Sequence, residues 1–170
     1  MVTASALPGQ RNGVHMASDS ENAAHVQAME DARSLARTGN VTGVEQAIGR
    51  SITAPSGSAE WHTETARGLA EVARLMAREN RPAAVGPLIT RAIDHLHQTL
   101  AAASDVRTLS RAHANIGYLD EQFVGDVPAA IASYQAAILA DPKNKQAREA
   151  LARLQMMDAN LRVKLKANAR

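Results

Sequence analysis

The sequence predicts an all-α protein made of about three antiparallel helix pairs and a C-terminal capping helix. Apolar residues recur at three- and four-residue steps along almost the whole chain after residue 20. Alanine, the strongest helix former, supplies 35 of the 170 residues. Aromatic residues, which sheets favour together with β-branched ones, make up only 2%. Composition and periodicity therefore both favour packed helices.

The first predicted helix begins near residue 20 and ends at Gly39, a glycine suited to a left-handed helix end. Ser18 and Glu21 fit a capping box at its start. Its inner stripe consists of Ala24, Ala28, Ala32 and Leu35. The stripe of a short second helix consists of Val41, Val44, Ile48 and Ile52. Residues 54–58 are rich in helix breakers and separate this pair from the next.

The third helix is predicted from about Ala59 to Glu79. Its stripe consists of Leu69, Val72, Leu75 and Met76, with Trp61 near its start. Asn80 and Pro82 are expected to open the fourth helix, because a proline in the first turn loses no hydrogen bond. The pair Gly86-Pro87 should kink this helix or delay its start. The fourth stripe consists of Ile89, Ile93, Leu96 and Leu100.

The last three helices are predicted over residues 105–166. Asp105 is a good N-cap for the fifth helix, which reaches about Phe123. Residues 125–126 break the chain, the sixth helix covers about 127–140, and the seventh covers about 144–166. The joints inside each pair are short, which is typical of an α-hairpin array.

Small residues lie where the fifth and sixth helices would cross. The first of these helices carries Ala112, Asn115, Ile116 and Gly117, and the second carries Gly125, Ala130, Tyr134, Ala137 and Pro142. Ala130 and Ala137 are seven residues apart and share one face, with Tyr134 between them. With this pattern, residues 112–151 resemble a tetratricopeptide repeat (TPR). Gly117 and Gly125 are one residue further apart than is usual in that family, so the intervening turn must absorb one residue.

The length suits one domain, predicted over residues 19–170 behind a flexible leader of residues 1–18. The best-matched repeat covers 105–142, and the capping helix covers 144–166. The resemblance implies a non-catalytic adaptor or scaffold that binds a peptide or protein segment in a concave groove, lined by the first, third and fifth helices. The alternative is a structural scaffold that self-associates into a homo-oligomer through alanine-rich faces. An enzyme with an unrecognised helical active site is a third possibility.

The candidate peptide-binding residues are Arg67, Glu71, Arg74, Arg111 and Asn115. In the resembling family the position of Asn115 lies on the concave face and can hydrogen-bond a peptide backbone, because an amide both donates and accepts. The alternative is that Asn115 bonds a neighbouring helix. A groove lined by the arginines would favour carboxylates on the partner. The alternative is a solvated face on which Arg67 and Glu71 pair within their own helix.

Several classes of site lack the residues they need. The chain has no cysteine, which excludes disulfides and zinc–thiolate sites. Nucleotide-binding, serine-hydrolase and zinc-protease motifs are missing from the sequence. His95 and His97 lie about 200° apart around a helix, so they cannot easily share a metal. We therefore expect no catalytic residue, no metal and no cofactor.

Charge and hydropathy narrow the range of partners. Residues 143–170 carry a net charge of +6, which leaves the preceding 142 residues at −4. The basic end contains no aromatic residue, so we expect no nucleic-acid partner. No apolar run is long enough to span a membrane. This chain shows no apolar leader sequence, and the cytoplasm is the default expectation.

Overall fold

The computed structural model describes residues 19–52 and 57–168, and these residues form helices and short connections only. The predicted all-α class is therefore confirmed. The helices are α1 (Asp19–Ala36), α2 (Val41–Ile52), α3 (Ala59–Arg78), α4 (Pro82–Ala102), α5 (Val106–Leu119), α6 (Val127–Ala140) and α7 (Lys145–Asn168). The predicted leader at 1–18, with its Ser18 cap, and residues 53–56 of the predicted breaker lie outside the described residues. In the part of the chain described, no helix is long and apolar enough to cross a membrane.

Consecutive helices form antiparallel pairs. In the second pair, the Thr63 hydroxyl near the start of α3 lies 3.3 Å from the Thr99 hydroxyl near the end of α4. In the third pair, the Ser110 hydroxyl near the start of α5 donates to the Ala137 carbonyl near the end of α6, at 2.7 Å. A contact between the start of α1 and the end of α2 joins the first pair in the same way. The helix α7 then packs on α6.

Two buried clusters hold the pairs together. The larger lies among α1 to α5 and includes the predicted stripes of α3 and α4, among them Leu69, Val72, Met76, Ile89 and Leu96. The smaller lies among α5, α6 and α7 and includes Ala114, Ala130, Tyr134, Ala137, Ala147 and Leu154. The predicted stripe of α1 is wrong at its first position. Ala24 is exposed and His25 is buried instead, because the His25 ring packs against Trp61, 5.0 Å away between ring centroids.

The connection between α3 and α4 differs from its prediction. Asn80 has a φ of +55°, which ends α3 and does not open α4. The Arg81 N–H donates to the Met76 carbonyl at 2.9 Å, as expected after a left-handed residue at a helix end. The helix α4 begins at Pro82 and includes Pro87, so Gly86-Pro87 does not delay its start. By contrast, Asp105 caps α5 as predicted, accepting from the Thr108 N–H at 2.8 Å.

A π-helical turn, Asp120–Val124, joins α5 to the connection that leads to α6. The Gly125 N–H donates to the Asp120 carbonyl, five residues back, at 2.7 Å. A π turn holds one residue more than an α turn. It therefore takes up the additional residue that the sequence placed between Gly117 and Gly125. Gly125 follows at a φ of +78°, where a residue with a Cβ would be strained.

The α5–α6 crossing contains the small residues that the sequence assigned to it. A Cβ added at Gly117 would lie 3.0 Å from the Tyr134 ring and 3.1 Å from the Ala130 carbonyl oxygen. Ala130, Tyr134 and Ala137 are all buried on the facing side of α6. Glycine at 117 thus allows the two backbones to approach closely, and the tyrosine ring fills the space between the two alanines.

Candidate functional site

The five candidate residues line one cleft of about 490 Å³ between α3 and α5. Arg67, Glu71 and Arg74 come from α3, and Arg111 and Asn115 come from α5. Two further polar side chains border the cleft, those of Tyr118 and Gln146. Neither residue was among the predicted candidates. Tyr118 could have been found, because it follows Arg111 and Asn115 at helical spacing, whereas Gln146 comes from α7, a separate element.

Helical periodicity explains why these side chains meet. On α3 the cleft residues are spaced by four and then three positions, and on α5 residues 111, 115 and 118 repeat that spacing. Such spacing keeps each set on a single face. The core stripe of α3, which includes Leu69 and Val72, anchors the opposite side of that helix. Burial of the core stripes therefore turns the two polar stripes towards one another.

Glu71 is paired with Arg33 of α1, and the predicted pair of Glu71 with Arg67 does not form. The Arg33 Nε donates to Glu71 Oε2 at 2.8 Å. Arg67 turns instead to Glu64, three residues earlier on the exposed side of α3. The reason is that Arg33, 38 positions away in sequence, is only 17% exposed and reaches Glu71 from the neighbouring helix. The single acid of the cleft is thus paired from behind with an arginine that also pairs with Glu30, at 3.1 Å.

Three side chains at the cleft have no partner within the described chain. Arg111, Asn115 and Gln146 form no hydrogen bond or ion pair with another described residue. Arg74 makes one contact, from Nη2 to the Tyr118 hydroxyl at 3.3 Å. The alternative for Asn115 was a side-chain hydrogen bond to a neighbouring helix, and the Asn115 amide forms no such bond with the described residues. The cleft therefore presents unused arginine and amide donors.

A second hollow of about 600 Å³ adjoins the cleft and shares Tyr118 and Gln146 with it. Lys145, Glu149 and Arg153 of α7 also line it. The sequence predicted a groove lined by α1, α3 and α5. The combined surface instead extends over α3, α5 and α7, because α1 reaches the cleft only through the Arg33–Glu71 pair.

A buried carboxylate fixes α7 beside this surface. The Glu121 side chain, in the π turn, is 7% exposed and accepts from Arg153 of α7 and from the Tyr134 hydroxyl at 3.1 Å. The hydrogen bond from Arg153 holds the pKa of Glu121 below its usual value. This contact could not be predicted from the sequence, because the π turn that directs Glu121 inwards has no local sequence signal. The contact keeps Lys145 and Gln146 next to α5.

The two histidines of α4 point in different directions, as predicted. His95 is buried against His62, and His97 is exposed. Among residues 19–52 and 57–168, no group of three or more histidine, cysteine, aspartate or glutamate side chains could hold a metal ion.

The chemistry of the cleft is that of a binding site for anions and amides. Its polar lining consists of three arginines, one glutamate paired with Arg33, two amides and one tyrosine. Arginine holds carboxylates with two parallel N–H bonds, and an amide can pair with a peptide group in both directions. Neither the protein-family models nor the curated proteins compared with this chain give a match.

Proposed function

We propose that this chain is a non-catalytic adaptor that binds a carboxylate-bearing peptide segment in the cleft between α3 and α5. The observation that carries the proposal is the convergence of Arg74, Arg111 and Asn115 on one cleft where most donors lack a partner. A set of cations and amides is suited to holding a ligand. The polar lining contains no histidine, serine, threonine or cysteine that could act as a nucleophile or base at neutral pH.

The proposal includes a TPR-like arrangement of the three helix pairs. Support comes from the antiparallel pairing, from the close approach at Gly117, and from the π turn that accommodates the longer spacing to Gly125. The first helix of a pair, in α3 and α5, contributes most of the cleft. In the resembling family such helices form the concave surface, so an extended segment would lie across α3, α5 and α7.

Charge specifies the class of partner. The chain up to residue 142 carries a net charge of −4, yet the cleft holds three arginines, of which only Arg67 is paired with an acid (Glu64), and one acid, which is paired with Arg33. A local positive charge on an acidic body attracts carboxylates to this site and repels them elsewhere. Asn115 and Gln146 can then bond the backbone of the same segment. The expected partner is therefore a peptide with acidic side chains or a free carboxyl terminus.

A selection from a library of short random peptides tests this function. Peptides retained by the parent protein should be enriched in Asp and Glu and should be released as the salt concentration rises, since partly exposed charges are screened. The same library should give no acidic enrichment on the charge-reversed variant Arg74→Glu/Arg111→Glu, which is altered only at exposed positions. Equal enrichment on both proteins would overturn the proposal.

One observation favours the self-associating scaffold as a second candidate. The helix α6 contains no charged residue, and Leu139 near its end is 86% exposed. An uncharged apolar face can pack against its own copy without charge repulsion. Molar mass from light scattering over a range of concentrations separates the candidates: a dimer that Leu139→Glu dissociates supports the scaffold, and a monomer throughout rejects it.

A further inference from the structure

Three of the six histidines lie in one buried cluster away from the cleft. His25 comes from α1, His62 from α3 and His95 from α4, and all three surround the ring of Trp61. The centroid of the Trp61 ring lies 5.0 Å from that of His25, 5.0 Å from that of His62 and 5.5 Å from that of His95. The cluster therefore joins the first helix pair to the second.

The central contact is between His62 and His95. Their Nδ1 atoms are 3.0 Å apart, a hydrogen-bond distance, and both side chains are buried. A neutral imidazole carries one N–H, so one ring can donate while the other accepts. Once both rings are protonated, two N–H groups face each other across 3.0 Å and both rings carry charge. The contact then changes from attractive to repulsive.

The surroundings offer little to compensate these charges. On α1, His25 contacts the Ser51 hydroxyl of α2 at 2.7 Å and the Thr65 hydroxyl of α3 at 3.3 Å. On α4, Arg91 opposes a charge on His95, and Asp94 favours it less strongly. The Ser51 carbonyl oxygen lies 3.2 Å from His25 Nδ1, the Thr99 hydroxyl donates to the His95 backbone carbonyl at 3.1 Å, and the Trp61 indole lies beside all three rings. These surroundings therefore favour neutral imidazoles over charged ones.

We propose that the His62–His95 pair is a proton-sensitive latch, which closes the α3–α4 end when neutral and loosens it when both imidazoles are protonated. Because His25 of α1 packs on Trp61 beside the pair, opening the latch also loosens the first helix pair from the second. Acidification would thus act on one end of the array and leave the α5–α6–α7 cluster intact.

The direction of the pH effect follows from burial. Desolvation lowers the pKa of His62, and desolvation followed by the charge of His62 lowers the pKa of His95 from 6.5 to about 4. The unfolded chain then binds more protons than the folded one between these values. The latch is fully stabilising above pH 6.5, and its contribution is lost as the pH falls from 6.5 towards 4.

Thermal unfolding followed by the fluorescence of Trp61, the single tryptophan of the chain, tests the latch. From about pH 7.5 to about pH 5, the parent should lose roughly 5 °C in Tm. The double variant His62→Gln/His95→Gln should lose less than half as much. The matched control is His97→Gln, an exposed histidine two residues along α4, which should behave as the parent does.

The proposal would be overturned if the Tm of the double variant fell by as many degrees as the Tm of the parent over the same pH range. A second measurement needs no variant to fold. Nuclear magnetic resonance of the imidazoles in the parent should show His95 still neutral at about pH 6 in the folded state. Both rings charged at that pH, in a protein that remains folded, would contradict the latch equally.

Discussion

Replacing Tyr134 with alanine is expected to lower the free energy of unfolding by about 3–5 kcal/mol. Tyr134 is the largest fully buried side chain among the described residues, and its ring fills the space beside Gly117 at the α5–α6 crossing. Removal of the ring leaves a cavity between the backbones of α5 and α6, which lie close together because Ala130 and Ala137 are small. In a chain of this size the Tm should fall by roughly 10 °C, measured by circular dichroism at neutral pH.

The variant Tyr134→Phe is the matched control for this substitution. It keeps the ring and removes only the hydroxyl that donates to Glu121 at 3.1 Å. Arg153 still holds the carboxylate, so the expected cost is about 1–2 kcal/mol. If Tyr134→Ala lowered the free energy of unfolding no more than Tyr134→Phe does, the Tyr134 ring would not be what packs α5 against α6.

Removing α7 is expected to have the second large effect. Ala147, Ala150 and Leu154 are buried against the third pair, and the Asn144 amide donates to the Ser110 hydroxyl at 2.8 Å. A chain that ends before Asn144 would expose this apolar surface and leave the Glu121 carboxylate without Arg153. Most of this truncated protein should elute as aggregate in size-exclusion chromatography.

A chain that ends after Ala159 is the control for this truncation. It retains Asn144, Arg153 and every α7 residue of the smaller buried cluster, so it should stay soluble with a Tm close to that of the parent. A soluble, folded protein that ends before Asn144 would show that α7 is not a cap.

Much of the fold could be predicted, because it depends on local rules. Helical periodicity located all seven helices of the described residues, and side-chain chemistry identified the cap at Asp105. The spacing between Gly117 and Gly125 even indicated that the joint holds an additional residue. The form of that joint, a π turn, could not be predicted, since its i−5 hydrogen bonds have no residue preference strong enough to detect.

Side-chain contacts between helices could not be predicted from the stripes alone. A stripe in the sequence defines the face of one helix and leaves open how far that helix is rotated against its neighbour. For this reason spacing within α3 offered only Arg67 as an alternative partner for Glu71, whereas Arg33 of α1 binds it. The same limit explains why Ala24 was expected in the core in place of His25. It also explains why Gln146, on a helix predicted to act only as a cap, was missing from the candidate site.

Helical spacing alone predicted one polar face on α3 and one on α5, and the resemblance to the repeat family implied that the two faces line one groove. In the structure Arg67, Arg74, Arg111 and Asn115 lie together at the cleft. That these residues bind a peptide is a proposal about function. Its geometric support is that Arg111 and Asn115 carry hydrogen-bond donors with no partner in the described chain.

The most direct measurement is the affinity of one selected acidic peptide for single-site variants of the cleft, determined by isothermal titration calorimetry. Arg111→Ala and Asn115→Ala should each weaken binding by about tenfold or more, with little change in Tm, because their side chains have no partner in the described chain. The control Arg148→Ala, an exposed arginine of α7 outside the cleft, should bind as the parent does. Unchanged affinity in both cleft variants would contradict the proposed groove.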